Sequence, residues 1–289
     1  MARVLVTGGC GFLGAALVAR ARGAGHSVVS ADLLPEADRR LDASDTEAIA
    51  ALVADVRPDA IVHLAAVLTD AGERDPVGTT RLNALGTAAV FTAAEAARCE
   101  RVIYATSISA VGPTTGPTRD DARLNPGNVY GATKAFCEHL AAAMSARAQA
   151  PAYLGLRFGY VYGPGRVRGW RDVQMIIERA RSGERRFTYP DYPDPLDWTW
   201  IDDAAEVLLR TVERPLPRNA VANVVGDKRH VRDAVAHLRR RFADLEIEPV
   251  PANTPPAAWG LVNDGLERLL GYTPTTTLEA GIDRLLAAR

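Results

Sequence analysis

Residues 7–14 read Thr7-Gly8-Gly9-Cys10-Gly11-Phe12-Leu13-Gly14, directly after the apolar run Val4-Leu5-Val6. A β-branched run, a glycine-rich turn and an alanine-rich stretch predict strand, tight turn and helix in succession. In such a unit Gly8 allows the tight turn, Gly11 lets a pyrophosphate approach the backbone, and Gly14 permits close helix–strand packing. The helix beginning at Phe12 then offers unpaired N–H groups and a positive dipole end to phosphates. Glycines alone are a weak signal, because purely structural turns use them too. The context strengthens it: a second strand candidate ends at Asp32, about 20 residues on, where an acid hydrogen-bonds a ribose hydroxyl. Dinucleotide binding is therefore expected, with Gly8, Gly11, Phe12, Leu13, Gly14 and Asp32 as contacts. A carboxylate at position 32 repels a 2′-phosphate, and Leu33-Leu34 bring no compensating cation, so NAD is expected over NADP. Arg39 and Arg40 are the cations that would reverse this by swinging toward the adenosine end.

Outward from this turn, short β-branched runs keep alternating with alanine-rich helical stretches, the pattern of a parallel α/β sheet. Strands are expected over Arg3–Thr7, Ser27–Asp32, Ala60–Leu64, Arg101–Ser107 and Ala152–Phe158. Most are continuously apolar, as strands covered by helices on both faces should be. Helices are expected over Phe12–Ala21, Thr46–Asp55, Val77–Arg98 and Val129–Ala148. After Arg157 the texture changes. Gly163-Pro164-Gly165 opens an Arg-rich loop, a helix follows near Asp172–Ser182, and Tyr189 to Pro195 is irregular by composition. Asp202 to Val212 reads as a helix and Ala222–Val225 as a short strand. From His230 on, amphipathic helices carry Leu238, Leu266, Leu269, Leu270 and Leu285. The expected organisation is a nucleotide-binding domain over residues 1–162, to which 196–225 return, and a substrate lobe from 163–195 and 226–289.

The whole-chain numbers agree with an ordinary enzyme. At 289 residues and 47% hydrophobic the chain can bury a real core, and a net charge of -1 gives nucleic acid no basic face. No apolar stretch is long enough to span a bilayer, and a strand that starts near residue 1 leaves no signal peptide, so a cytoplasmic protein is expected. Three scattered cysteines, Cys10, Cys99 and Cys137, make neither a disulfide framework nor a zinc site, and no metal is expected.

Tyr130-Gly131-Ala132-Thr133-Lys134 opens a helix, with Asn128 as N-cap after the breaker Pro126-Gly127. A spacing of four puts Tyr130 and Lys134 on one helical face. A phenol serves as a base near neutrality where a neighbouring cation favours its ionised form. Tyr130 can then exchange a proton with a substrate oxygen while hydride passes at the adjoining carbon, and Lys134 can hold the nicotinamide ribose. A tyrosine and a lysine four apart also form ordinary surface pairs. Ser107 tips the balance, because it closes a strand candidate at the carboxyl edge, where ligands bind in open α/β sheets. Thr106 and Ser109 are the competing hydroxyls.

Together these residues resemble the extended short-chain dehydrogenase/reductases, in particular the NAD-dependent epimerase/dehydratase family. The resemblance rests on Gly8/Gly11/Gly14, Asp32, His63-Leu64-Ala65-Ala66, Asn83 with Gly86-Thr87, Ser107 five residues before Gly112, Tyr130/Lys134, Tyr162-Gly163-Pro164 and Asp202-Asp203-Ala204. It implies a Rossmann-type doubly wound parallel sheet with a smaller C-terminal substrate-binding lobe, NAD as cofactor, and Ser107, Tyr130 and Lys134 as catalytic residues. It also implies that Asp42, Ala43, Leu64, Ala65, Ala66 and Asn83 line the cofactor site, and that the chain forms homodimers through Val77–Arg98 and Val129–Ala148. His63 is structural by the same resemblance.

The departures speak to substrate. Members acting on sugar nucleotides usually carry an Asn where Tyr160 stands and an Arg where Leu196 stands, both ligands of the substrate diphosphate. Their loss favours a free sugar, sugar acid or similar small hydroxy compound. Family dehydratases follow the catalytic hydroxyl with an Asp-Glu pair; Ile108-Ser109 follow Ser107 here, which disfavours dehydration. Candidate substrate contacts are Ser109, Tyr160, Arg166, Arg168 and Trp198, with Arg171 beside them and Trp200 as an alternative wall; either tryptophan also suits simple packing. The expected activity is that of an epimerase or dehydrogenase. Alternatives are a nucleotide-sugar epimerase, a ketoreductase on a larger ketone, and a non-catalytic NAD-binding sensor.

Overall fold

The computed structural model describes residues 1–114, 116–253 and 260–288. In chain order it begins β1 (Arg3–Thr7), α1 (Phe12–Gly23), β2 (Ser27–Asp32), β3 (Arg39–Arg40), α2 (Thr46–Val56) and β4 (Ala60–His63). Then come α3 (Thr69–Arg74), α4 (Pro76–Thr79), a wide π-helical turn over Thr80–Gly86, α5 (Thr87–Ala96), β5 (Arg101–Ser107), a 3₁₀ turn over Ile108–Ala110, α6 (Val129–Ser145), β6 (Ala152–Phe158) and β7 (Tyr160–Tyr162). The rest comprises α7 (Asp172–Arg181), β8 (Arg186–Asp191), β9 (Leu196–Trp200), α8 (Ile201–Glu213), β10 (Asn219–Val224), β11 (Asp227–Arg229), α9 (Val231–Arg241), β12 (Glu246–Pro251), α10 (Leu266–Leu270) and α11 (Leu278–Ala287).

Seven strands form one parallel sheet in the order β10-β6-β5-β4-β1-β2-β3. The order reverses between β1 and β4, so a crevice opens outside their carboxyl ends, the place where such sheets bind ligands. Strand periodicity explains the two apolar layers. Leu5, Ile61 and Val102 face Ile49, Val53 and Phe91 on one side, while Val4, Val6, Val62 and Ile103 face Leu17 and Leu208 on the other. Each face takes a helical cover, which is why these strands are apolar throughout.

Two smaller sheets lie C-terminal to this frame. β7 pairs parallel to β9, which pairs antiparallel to β11; β8 pairs parallel to β12. The expected helix over Val77–Arg98 is therefore three pieces, interrupted by the π turn, and β8 reaches into the stretch expected to be irregular. Pro190 fits there because β8 is an edge strand of a two-stranded sheet, where a missing N–H is tolerated. Among the described residues no helix is long and apolar enough to cross a membrane.

Candidate active site

The glycine turn is shaped by contacts that a side chain would block. Gly8 adopts φ +71°, and a Cβ there would lie 2.6 Å from the Ala65 nitrogen. A Cβ at Gly14 would lie 2.0 Å from the Gly8 carbonyl oxygen, so α1 rests on the turn itself more than on the strand. Gly11 caps α1 with no side-chain hydrogen bond, and the first turn of the helix holds no acid. The positively polarised N–H end is thus open to an anion. Asp32 closes the far side, accepting from the Cys10 N–H at 3.1 Å and the Leu34 N–H at 3.3 Å. Its remaining lone pairs suit ribose hydroxyls. This cradle fits a dinucleotide. Of the two arginines nearby, Arg39 pairs with Asp55 at 3.2 Å, and Arg40 stands beside Asp32 in the β2–β3 register.

The Asp42–Ser44 loop and the loop after β4 are held by the π turn. Asp42 accepts from both the backbone and the hydroxyl of Ser44 at 2.8 Å, and these bonds hold its carboxyl below the usual carboxylate range. Ala43 is buried with its carbonyl against Gly86, where a Cβ would come within 2.2 Å. Asn83 accepts from the Val67 N–H at 2.8 Å and donates to the Val67 carbonyl at 3.0 Å and to Thr133 at 3.2 Å. Both ends of its amide are engaged within the protein. Asn83 thus clamps the chain at Val67, just past the Leu64–Ala66 loop. His63 is fully interior. Thr87 donates its hydroxyl to the Asn83 carbonyl, so His63 Nε2 donates to Thr87 and Nδ1 accepts from Thr7. Burial, reinforced by Lys134, pushes its pKa down to about 3, and the ring stays neutral.

Tyr130, Lys134 and Ser107 come from α6 and from the end of β5. The Asn128 side chain caps α6, accepting from the Gly131 N–H at 2.7 Å. Gly131 lets the helix start press on the 3₁₀ turn, since a Cβ would lie 2.2 Å from the Ser109 carbonyl oxygen. Tyr130 is thereby brought alongside the turn that Ser107 opens. Lys134 donates to the Ala105 carbonyl at 2.8 Å, and its ammonium lies 5.6 Å from the Tyr130 ring centroid. Ser107 accepts from the Ser109 N–H at 3.2 Å, which leaves its own proton to donate. Thr106 is removed as a competitor, because its hydroxyl donates to Glu138 at 2.7 Å.

Glu138 was not anticipated from sequence. Its carboxylate takes both Nε and Nη2 of Arg157, at 2.9 and 2.7 Å, with both side chains buried. Arg157 reaches on to the Asp120 carbonyl at 3.0 Å. This network fastens α6 to β5, β6 and the loop that follows the 3₁₀ turn. The signal was available: Tyr130, Lys134 and Glu138 recur every four residues along one face of α6.

The proposed substrate contacts separate. Tyr160 and Trp198 are 1% and 0% exposed and pack edge to face at 5.5 Å between β7 and β9. The Tyr160 hydroxyl accepts from the Gln174 N–H, and the Trp198 indole donates to the Arg229 carbonyl. Both are core, a correction to their expected place in a substrate wall; alternation along short paired strands turned these rings inward. Trp200 is also nearly buried, at 3% exposure, with its indole on Asp202. Arg171 pairs with Glu178 at 2.6 Å, and Arg168 is exposed. Ser109 is buried at the 3₁₀ turn. Arg166 alone of the arginine group turns toward the site, with its guanidinium 5.8 Å from the Phe12 ring. A cleft of about 460 Å³ runs between the start of α1 and Pro164, Gly165 and Trp200.

The profile of the NAD dependent epimerase/dehydratase family matches residues 4–226. The chain is 30% identical to a dTDP-L-rhamnose 4-epimerase of Burkholderia thailandensis over 98% of this chain and 93% of the relative. Among solved structures it is similar to MoeE5 in complex with UDP-glucuronic acid and NAD, at 28% identity and a TM-score of 0.84, covering 99% and 98% of the two chains. The L-threonine 3-dehydrogenase of Trypanosoma brucei shares the fold, with a TM-score of 0.87 at 22% identity over 99% and 96%. The chain belongs to the NAD-dependent epimerase/dehydratase family of extended short-chain dehydrogenases/reductases, and is an NAD-dependent enzyme.

Proposed function

We propose that this enzyme moves hydride at a secondary alcohol or ketone carbon of a free sugar, sugar acid or similar small hydroxy compound. The observation that carries the reading is the juncture of Tyr130 and Lys134 with the Ser107 turn, made close by Gly131. Gly8, Gly11, Phe12, Leu13, Gly14 and Asp32 hold the cofactor, together with Asp42, Ala43 and the Leu64–Ala66 loop. NAD, when bound, supplies the hydride acceptor. Ser107 donates its free proton to the substrate oxygen and fixes its direction. Tyr130 takes the hydroxyl proton of that same oxygen in oxidation and returns it in reduction. Lys134, its ammonium 5.6 Å from the Tyr130 ring centroid, steadies the nicotinamide ribose and offsets charge that develops beside it during proton transfer.

A free substrate is supported by the interior places of Tyr160 and Leu196, which leave no amide or guanidinium at the positions that grip a diphosphate in sugar-nucleotide enzymes. The likeness to a dTDP-L-rhamnose 4-epimerase favours a second reading, a nucleotide-sugar epimerase. Absorbance at 340 nm, with NAD and a panel of free hexoses, hexuronates and hydroxy acids, tests the first. Coupled detection of epimers from UDP- and dTDP-sugars tests the second. Turnover confined to nucleotide sugars contradicts the proposal.

We further propose a homodimer through α4, the π turn and α6, the helices implied by the family. Val77, Leu85 and Phe136 stand on these elements with 71%, 54% and 42% of their surface exposed. Light scattering on the eluting protein checks it; a monomer at micromolar concentration contradicts it.

A further inference from the structure

Arg166 occupies a loop, residues 163–171, in which Gly163, Gly165 and Gly169 all take positive φ. The loop folds its guanidinium inward, 4.9 Å from the Tyr160 ring centroid and against Phe12, the first residue of α1. Nη1 donates to the Val161 carbonyl and Nη2 to the Trp170 carbonyl, while Nε is buried with no hydrogen-bond partner among the described residues. Neighbouring arginines are handled differently. Arg157, Arg171 and Arg179 each face a carboxylate, on Glu138, Glu178 and Glu184. The ionisable groups that act most on Arg166 are Tyr160, Arg171 and Tyr130, none of them a carboxylate. Burial holds this guanidinium below its ordinary range, a sign that its charge lacks compensation in the folded chain.

A buried cation without a counter-ion is costly unless a ligand brings one. We infer that Arg166 binds the carboxylate of the substrate, which makes the substrate class a sugar acid or hydroxy acid. This deepens the function proposed above and rests on it. The second N–H of Nη1 and of Nη2, not spent on the Val161 and Trp170 carbonyls, suits a carboxylate, whereas a phosphate dianion calls for more donors than the site offers, Arg168 being exposed and Arg171 paired. The other anion expected near Phe12 is the cofactor pyrophosphate, and the test separates the two.

Protein saturated with NAD is titrated calorimetrically with D-glucuronate, D-galacturonate and 3-hydroxybutyrate, and with their uncharged counterparts D-glucose, D-galactose and 1,3-butanediol. In the unaltered protein at least one acid binds more tightly than its neutral counterpart. Arg166→Gln weakens that acid by about tenfold to a hundredfold, the worth of a charged hydrogen bond. It leaves neutral compounds and NAD affinity unchanged. Arg166→Lys keeps part of the preference, and thermal unfolding of both variants shows that the loop still folds. The inference is overturned if no acid is preferred, if the preference survives Arg166→Gln, or if the variant loses NAD affinity instead, which would assign the arginine to the pyrophosphate. Failure here leaves the Tyr130 chemistry standing. Conversely, a Tyr130→Phe enzyme with full turnover would sink the proposed function while leaving this preference measurable.

Discussion

The carboxyl edge of the seven-stranded sheet and the three-stranded sheet beside it treat polar groups in opposite ways. At the edge, Lys134, Ser107, Asn83, Glu138 and Arg157 each hold a second protein group, and several hold two. In the small sheet, Tyr160, Tyr162, Trp198 and Trp200 pack edge to face, and Asp197 is buried among them with the Lys228 ammonium 3.6 Å away. Burial pushes the Asp197 carboxyl up to about 7. The first arrangement fixes geometry before substrate arrives. The second supplies a packed wall, and its one buried acid registers pH.

Altering the edge should therefore damage chemistry or stability far more than altering the wall. The largest effect is expected at Lys134. Lys134→Met removes the cation beside Tyr130 and should lower turnover by about 10²- to 10⁴-fold, read from initial rates at saturating NAD. Next is the strut behind it. Glu138→Gln leaves Arg157 buried without its charge partner and should cost about 3–5 kcal/mol in denaturant unfolding. A cost near that of a surface substitution would mean the network does not fasten α6. Asp32→Ala should weaken NAD by about tenfold to a hundredfold in a fluorescence titration, the range of hydrogen bonds to a charged group.

The smallest effect belongs to Asp197 and has a definite sign. Its pKa is raised by folding, from 3.8 to about 7, so between these values the native state binds the extra proton. Stability from this group is present below the unfolded value and is lost as pH rises through the folded one. Asp197→Asn should flatten that slope and raise the melting temperature at pH 8 by a few degrees, about 2–4 °C per kcal/mol gained. An unchanged pH profile would show that Lys228 keeps the carboxylate ionised.

The frame was legible in sequence because its requirements are local. The expected spans of β5 and β6 coincide with those observed, and Asn128 caps α6, since apolar runs and capping residues act within a few positions. Gly8, Gly14 and Asp32 were readable for the same reason: a tight turn demands particular residues. The small sheets were not legible. β7, β9 and β11 are three to five residues long and find their partners far away in sequence, which no periodicity reveals. The same cause misplaced Tyr160 and Trp198, whose residue types suit a binding wall and a packed sheet equally. Which way the Asn83 amide turns was not legible either, because it depends on Val67 and Thr133, side by side only in the fold.

The central claim is that Tyr130 carries the proton at the carboxyl edge. The direct measurement is turnover of Tyr130→Phe on the substrate found in the screen, alongside its dissociation constant for NAD. Turnover should fall by at least about 10²-fold with NAD affinity unchanged, because the ring still fills its place beside Lys134 while the exchangeable proton is gone. Turnover close to that of the unaltered enzyme, with NAD bound normally, would contradict it.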